Sequence, residues 1–147
     1  MKTLIKLLLF IAVVISITQT SSIYSQESLY KRLGGYDAIA AVTDQFLAGL
    51  ITSKDMEKFF KGASDDSKKK IRQHVVDFLC EKTGGPCYYI GRPMKESHHG
   101  LGINEHEWNI TAGILIETLK KFNVPQKEMD EVIGLVVTLK EDIVEKP

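Results

Sequence analysis

The chain has 147 residues, of which 44% are apolar and 26% are charged, and its formal net charge is zero. This length accommodates one domain at most, and the balanced charge offers no basic surface for nucleic acid. Two cysteines are too few for a disulfide-framework protein. We therefore expect one globular domain that does not bind nucleic acid.

Residues 1–25 have the pattern of a secretory signal peptide. Lys2 and Lys6 precede a short apolar run at 7–17, and small and polar residues follow it. The run is shorter than the roughly 20 apolar residues of a membrane span. An uncleaved anchor remains the alternative, because no clean Ala-x-Ala cleavage site is present. We predict a mature domain of residues 26–147 that is exported, periplasmic or secreted, and that meets a membrane only through the signal segment.

The rest of the chain has the pattern of helix almost throughout, because apolar residues recur every three or four positions. Glycine pairs follow two of these segments, where a helix end favours glycine. Asn104 and Glu107 form a capping-box-like pair before the next. No strand pattern stands out, so we predict an all-α domain. The predicted helices cover 27–33, 37–52, a short turn near 56–60, 66–82, about 17 residues after Asn104, and Pro125 to about Val144.

Two histidines lie on different predicted elements. His98, followed by His99, stands at the end of a short helix before a Gly-x-Gly break, and His74 lies within the apolar stripe of the 66–82 helix. A buried imidazole without a partner costs about 1–3 kcal/mol, so a metal or a backbone carbonyl should satisfy His74. Neutral imidazole is a common metal ligand and a usual axial ligand of haem iron. The alternative for the adjacent pair is a polar turn with two solvated histidines.

The order of the motifs resembles that of the group I truncated haemoglobins, from Ser28 to about Lys146. The motifs are Leu29-Tyr30-x-Arg32-Leu33-Gly34-Gly35, Phe59-Phe60-x-Gly62, Phe78-Leu79 with Gly84-Gly85-Pro86, Tyr89-x-Gly91-Arg92-x-Met94 and His98-x-Gly100-x-Gly102-Ile103. The resemblance implies a two-over-two α-helical sandwich around one haem b, whose iron binds oxygen, NO or CO. The chain lacks Cys-x-x-Cys-His, which agrees with non-covalent haem.

The resemblance also implies roles for single residues. His98 matches the proximal iron ligand, His99 matches a variable, solvated position, and Phe60 matches the aromatic residue on the haem face. Tyr89 could hydrogen-bond near the haem edge, with a packed loop tyrosine as the alternative. Arg92 and Lys69 could pair with haem propionates, although solvated surface cations are the favoured interpretation of both. The other predicted haem contacts are Phe46, Leu47, Ile71, His74, Val75, Phe78, Ile103 and Trp108.

The distal side departs from the commonest family pattern. Leu47, Ile71 and Val75 stand where members often carry a tyrosine and glutamines, and none of the three can donate a hydrogen bond to bound oxygen. This argues against slow oxygen release and against NO dioxygenation that depends on such donors. His74 matches a position where some members carry a histidine that binds the iron. We predict His74 as a second iron ligand, with a donor to bound gas and a propionate partner as alternatives.

Four function classes follow, led by a haem-based gas binder. The others are an electron-transfer protein with an unidentified reductase, an enzyme with NO dioxygenase or peroxidase-like activity, and a zinc site formed by His98, His99 and His106. Zinc usually takes cysteine or acidic ligands in support, which disfavours the last. Cys80 and Cys87 could form a disulfide if their Cα atoms come within reach. We expect a monomer.

Overall fold

The computed structural model describes residues 27–145, so the predicted signal peptide lies outside the described residues. All regular structure between 27 and 145 is helical, which confirms the all-α prediction. No helix in this part of the chain combines the length and the apolar character of a membrane span. The elements are α1 (Leu29–Arg32), α2 (Gly35–Thr52), the 3-10 helix η1 (Glu57–Phe59), α3 (Asp65–Lys82), α4 (Met94–His98), α5 (Glu105–Lys121), α6 (Gln126–Val137) and α7 (Lys140–Ile143).

Helix α2 is central, since it packs against α3 on one side and α5 on another. Apolar side chains at helical spacing form three buried clusters. The first joins α2 to α3, the second joins α5 to α6, and the third covers the end of α2. Their buried members are Ile39, Ala40, Val76 and Cys80 in the first, Leu115, Leu119, Met129 and Val132 in the second, and Leu47, Leu50 and Met56 in the third.

The helix starts use the expected side chains. Ser64 accepts from the Ser67 amide at the start of α3, and two acidic residues follow in the first turn. Asn104 and Glu107 form a complete capping box at α5, as predicted. Between α1 and α2 the backbone takes φ of 95° at Gly34, a left-handed conformation that favours glycine.

The last predicted helix is wrong in one respect, because it is two helices rather than one. Helix α6 ends at Val137, and α7 begins at Lys140. At the break the Thr138 hydroxyl donates to the Leu135 carbonyl at 2.7 Å, and the Leu139 amide donates to Val136 in a tight turn. The apolar spacing runs on from Val136 to Leu139 across this turn, so it does not show the break.

The structure contains the disulfide between Cys80 and Cys87, which the sequence left open. The two Cα atoms lie 5.8 Å apart, within the usual range for such a bond. Cys80 lies in the last turns of α3, and Cys87 lies in the connection between α3 and α4. The bond therefore ties this connection, residues 83–93, to the core helix that precedes it.

Candidate functional site

His98 is the last residue of α4, and its ring is oriented by its own helix. The Nδ1 atom lies 2.8 Å from the Met94 carbonyl and 3.1 Å from the Ser97 hydroxyl. A carbonyl only accepts, so Nδ1 carries the proton and donates. In a neutral imidazole this leaves the Nε2 lone pair free. A ring whose Nδ1–H is held by a backbone carbonyl is the usual arrangement of a metal-binding histidine.

The segment after His98 is anchored to the end of the described chain. The Gly100 amide donates to the Glu145 carboxylate, and the Glu145 amide donates to the Ile103 carbonyl at 2.8 Å. Gly100 and Gly102 both have positive φ, of 81° and 66°, so this turn needs glycine at each. The turn lets the chain reverse within a few residues of the His98 ring.

His74 lies on α3 and is held differently. Its Nδ1 atom is buried and has no hydrogen-bond partner among residues 27–145. The only other side-chain atom of this kind in the described chain is the Thr43 hydroxyl. An unpaired buried polar atom costs about 1–3 kcal/mol, so the protein's own atoms leave this imidazole unsatisfied. The sequence prediction that His74 faces inward agrees with this burial.

An aromatic wall stands beside His74. The Tyr89 ring meets the His74 ring edge-on at 6.0 Å between centroids, and it meets the Phe78 ring edge-on at 5.3 Å. Phe78 is buried. Burial raises the pKa of the Tyr89 phenol, so this side chain stays neutral at physiological pH. Tyr89 therefore packs on α3 next to His74, while its predicted place at a haem edge stays a prediction.

The other predicted distal residues offer only apolar surface. Leu47 is buried in the third cluster, which Phe46, Phe59 and Phe60 cover from outside. Val75 is half-buried beside His74 on α3, and Ile71, one turn earlier, is 37% exposed. Their side chains carry no hydrogen-bond donor, whereas half-buried His74 on the same helix carries an imidazole.

Two further predicted haem contacts follow the proximal turn. Ile103 and Trp108 are both buried, each with 7% of its surface exposed. Glu107, next to Trp108, is also buried, and it pairs with Lys58 of η1 at 2.9 Å. The Lys58 ammonium holds the pKa of the Glu107 carboxyl below its usual value. The sequence showed Glu107 as a helix cap but gave no sign of this ion pair.

The predicted propionate partners lie at the surface. Arg92 is exposed, and its carbonyl accepts from the Tyr89 hydroxyl at 2.8 Å. Lys69 forms an exposed pair with Asp66 at 3.7 Å. His99 and His106 are exposed as well, in agreement with the solvated role expected for His99. Within residues 27–145 no three histidine, cysteine or acidic side chains lie together as a metal site, so the zinc alternative gains no support.

Comparison with known proteins fits this arrangement of helices and histidines. The family model for bacterial-like globins matches residues 28–145. The chain belongs to this family. More narrowly, it is 31% identical over 116 residues to a group 1 truncated haemoglobin of Mycolicibacterium paratuberculosis, with 79% of this chain and 83% of that protein covered. It is 33% identical over 112 residues to that of a Synechocystis species, with 74% and 88% covered.

Solved structures of truncated haemoglobins share the fold. That of Tetrahymena pyriformis in the Fe(III) form gives a TM-score of 0.74 at 26% identity, with 82% of this chain and all of that chain covered. The 2/2 haemoglobin of a Synechococcus species, in the cyanomet state with covalently attached haem, gives 0.74 at 28% identity with the same coverage. The chain is therefore a group 1 truncated haemoglobin, and the predicted two-over-two fold is confirmed.

The residues present fit a haem globin. His98 offers a nitrogen lone pair on a ring with a fixed tautomer, and His74 offers an imidazole that no protein atom satisfies. Sequence reasoning located both rings but missed what distinguishes them. The hydrogen bond from His98 runs to a backbone carbonyl, which no residue type signals. The serine at 97 was a visible hint, since a hydroxyl next to a ligand histidine can contact its Nδ1.

Proposed function

We propose that this truncated haemoglobin reversibly binds a diatomic gas, oxygen, NO or CO, at haem iron held by His98, and that His74 is the second iron ligand when no gas is bound. The observation that carries the proposal is the contrast between the two imidazoles. One has its Nδ1–H paired with a backbone carbonyl and its Nε2 free; the other has a buried nitrogen without any partner. Haem iron would bind the Nε2 atom of each ring, with the Nδ1–H held by the Met94 carbonyl in His98 and left unpaired in His74.

In this proposal each group of residues has a separate role. His98 holds the cofactor from α4, and the Met94 carbonyl fixes the ring. Phe46, Phe60, Phe78, Ile103 and Trp108 supply apolar surface that excludes water. His74 competes with gas for one position, so the observed gas affinity is the intrinsic affinity reduced by the fraction of protein in which His74 is released. Leu47, Ile71 and Val75 add no donor, so bound oxygen has no stabilising partner there other than His74.

The proposal includes non-covalent haem b. The chain has two cysteines, and they are bonded to each other, so neither is available for a thioether link to haem. Acidified acetone should extract all of the haem from the loaded protein, and haem left on the polypeptide would contradict this. The same disulfide suits an oxidising compartment, which supports export to the periplasm or beyond.

The second candidate function is electron transfer with a reductase. It is supported by the same contrast between the His98 and His74 imidazoles. Two histidine ligands favour electron exchange without a change of ligand, whereas one histidine leaves the iron open to gas. NO dioxygenase and peroxidase-like activity gain no such support, since the described distal side chains other than His74 carry no donor.

The test is the visible spectrum of the purified mature protein, loaded with haem, reduced and without gas. Sharp low-spin bands that disappear in His74→Ala would establish two histidine ligands. A broad high-spin spectrum would assign the iron to His98 alone and would contradict the role of His74. Rapid displacement of the low-spin bands by CO favours gas binding, and resistance to CO favours electron transfer. Absence of a Soret band after haem addition would overturn the whole proposal.

A further inference from the structure

The connection between α3 and α4 places a disulfide two residues from Tyr89. Cys87 is bonded to Cys80 of α3, and Tyr89 follows it. Tyr89 is the residue that packs edge-on against both His74 and Phe78. The connection thus joins a disulfide to the side chain that borders the second histidine.

Four constraints hold the Tyr89 ring in this place. Its amide donates to the Glu81 carboxylate, and its hydroxyl donates to the Arg92 carbonyl, both at 2.8 Å. Gly91 allows the ring to lie across the backbone, because a Cβ there would stand 2.4 Å from the ring. The fourth constraint is the disulfide, and it is the covalent one.

Little else holds this connection in the described structure. The side chains on either side of Tyr89, Tyr88 and Ile90, are each 84% exposed. Cys87 is half-buried and packs on the first core cluster. A segment with few buried apolar contacts opens at low free energy. Without the disulfide, Tyr89 would be held by its two hydrogen bonds and by its ring contacts with Phe78 and His74, none of which is covalent.

We propose that the Cys80–Cys87 disulfide controls the distal histidine: closed, it holds Tyr89 against the His74 ring, and opened by a dithiol it frees that ring and lowers the fraction of His74 bound to iron. This rests on the proposed function, since it assumes that His74 is the second ligand. A ligand must be held within about 0.5 Å and 10–20° of its productive geometry. Removal of one wall therefore weakens ligation and exposes the iron to gas.

The exchange reaction has a defined order. Cys80 is fully buried and Cys87 is half-buried, so the thiolate of the dithiol attacks the Cys87 sulfur. The disulfide breaks, a mixed disulfide forms at Cys87, and Cys80 leaves as a thiolate that takes up a proton. The second thiol of the dithiol then displaces Cys87. Two electrons and two protons pass from the dithiol to the protein, and the dithiol becomes a disulfide.

The first test compares the haem-loaded ferrous wild type, whose intact disulfide is verified by mass, with Cys80→Ala/Cys87→Ala. CO is the probe. We expect a smaller low-spin fraction in the double variant and CO binding tighter by about threefold or more, as the competing ligand is weakened. Tyr89→Ala, which removes the wall directly, should reproduce both changes. Tyr88→Ala is the matched control and should change neither. Equal low-spin fractions and CO affinities in wild type and double variant would overturn the proposal.

A second test needs no haem. Treatment of the haem-free wild type with a dithiol should speed hydrogen exchange at the Tyr89 amide, which donates to Glu81. The same treatment of the double variant is the control. Unchanged exchange in the wild type after mass-verified reduction would contradict the coupling of the disulfide to Tyr89.

The two proposals fail in distinguishable ways. Haem binding without a low-spin component in any variant would overturn the disulfide mechanism and leave iron held by His98 intact. Failure of wild type to bind haem would overturn the proposed function and this inference together. A low-spin fraction that falls in Tyr89→Ala but not in the double variant would assign the wall to Tyr89 and remove the disulfide from the mechanism.

Discussion

The proximal and distal sides of this globin hold their histidines by different means. His98 is fixed within its own short helix, since its Nδ1–H donates to the carbonyl four residues earlier. His74 has no such bond, and its ring is bordered instead by Tyr89 from a separate segment. One ring is positioned by local backbone, and the other by tertiary contact.

This difference concerns how readily each of the two histidine rings can move. A local hydrogen bond within one turn persists as long as the helix does. A ring positioned by a neighbouring side chain gains freedom when that neighbour moves. Tyr89 lies on the connection between α3 and α4, where Tyr88 and Ile90 on either side of it are each 84% exposed. Under the proposed function, His98 would therefore keep its bond to iron while His74 exchanges.

The largest effect should come from removal of the proximal ring. We expect His98→Gly to lose haem more than about 100-fold faster than wild type, because loss of a ligand should exceed the 10–100-fold effect of losing its supporting bonds. Transfer of haem to an excess of apomyoglobin measures the rate. Added imidazole should slow the loss.

The neighbouring histidine provides the control for that experiment. His99 is exposed and has the same chemistry one residue away, so His99→Gly should release haem at the wild-type rate. If the two variants lost haem equally fast, the assignment of the proximal ligand to His98 would be wrong.

Replacement of His74 should give a smaller effect. The free energy of unfolding should rise in the haem-free protein and fall in the loaded one. His74→Leu replaces a partnerless buried nitrogen with apolar atoms, so we expect the haem-free protein to become more stable by about 1 kcal/mol. The loaded protein should instead lose stability, since an iron bond is removed. Urea unfolding of both forms measures this, with exposed His106→Leu as the control. A destabilised haem-free variant would show that a protein atom pairs with His74.

How far the sequence predicted the fold depended on the range of the interaction. Helical spacing and caps predicted the main helices, because these are local; the capping box of Asn104 and Glu107 is an example. The break between α6 and α7 was missed, since the apolar spacing runs on across it from Val136 to Leu139. The disulfide was left open, because its formation depends on the path of the chain between two cysteines seven residues apart.

In the candidate site, too, local patterns were predictable and contacts between distant segments were not. The motif order located His98, and the apolar stripe located His74, but neither pattern could show that one ring is paired and the other is not. Tyr89 was expected either at a haem edge or in loop packing, and its contact with His74 depends on a fold between two segments. Contacts of this kind are set by tertiary geometry, which residue spacing does not encode.

A third prediction concerns the hydroxyl beside the proximal ring. Ser97→Ala removes one contact to His98 Nδ1 at 3.1 Å, while the shorter one to the Met94 carbonyl remains. We expect haem loss to rise by less than about tenfold, the lower end of such supporting effects. Ser97→Thr keeps a hydroxyl and should behave as wild type. An effect as large as that of His98→Gly would mean that the serine, and not the backbone, orients the ring.

The smallest expected effect concerns the ion pair between η1 and α5. Lys58 of η1 reaches the buried Glu107 of α5, and its ammonium is the largest cause of the lowered carboxyl pKa. A lowered pKa means that the folded state binds its proton less readily than the unfolded chain does. The pair therefore adds stability above the ordinary pKa of 4.5, and this contribution is lost as pH falls toward the lowered value.

Lys58→Met should accordingly reduce the urea midpoint at neutral pH and leave the acid limb nearly unchanged, so that the midpoint falls less steeply below pH about 5. Lys69→Met is the matched control, because its pair with Asp66 is exposed on both sides and exposed pairs contribute little. Since Glu107 also accepts from the Asn104 amide, part of the pH dependence should persist in Lys58→Met. Complete persistence would mean that the capping bond alone keeps this carboxylate charged, and that the ion pair does not couple η1 to the helix that follows the proximal turn.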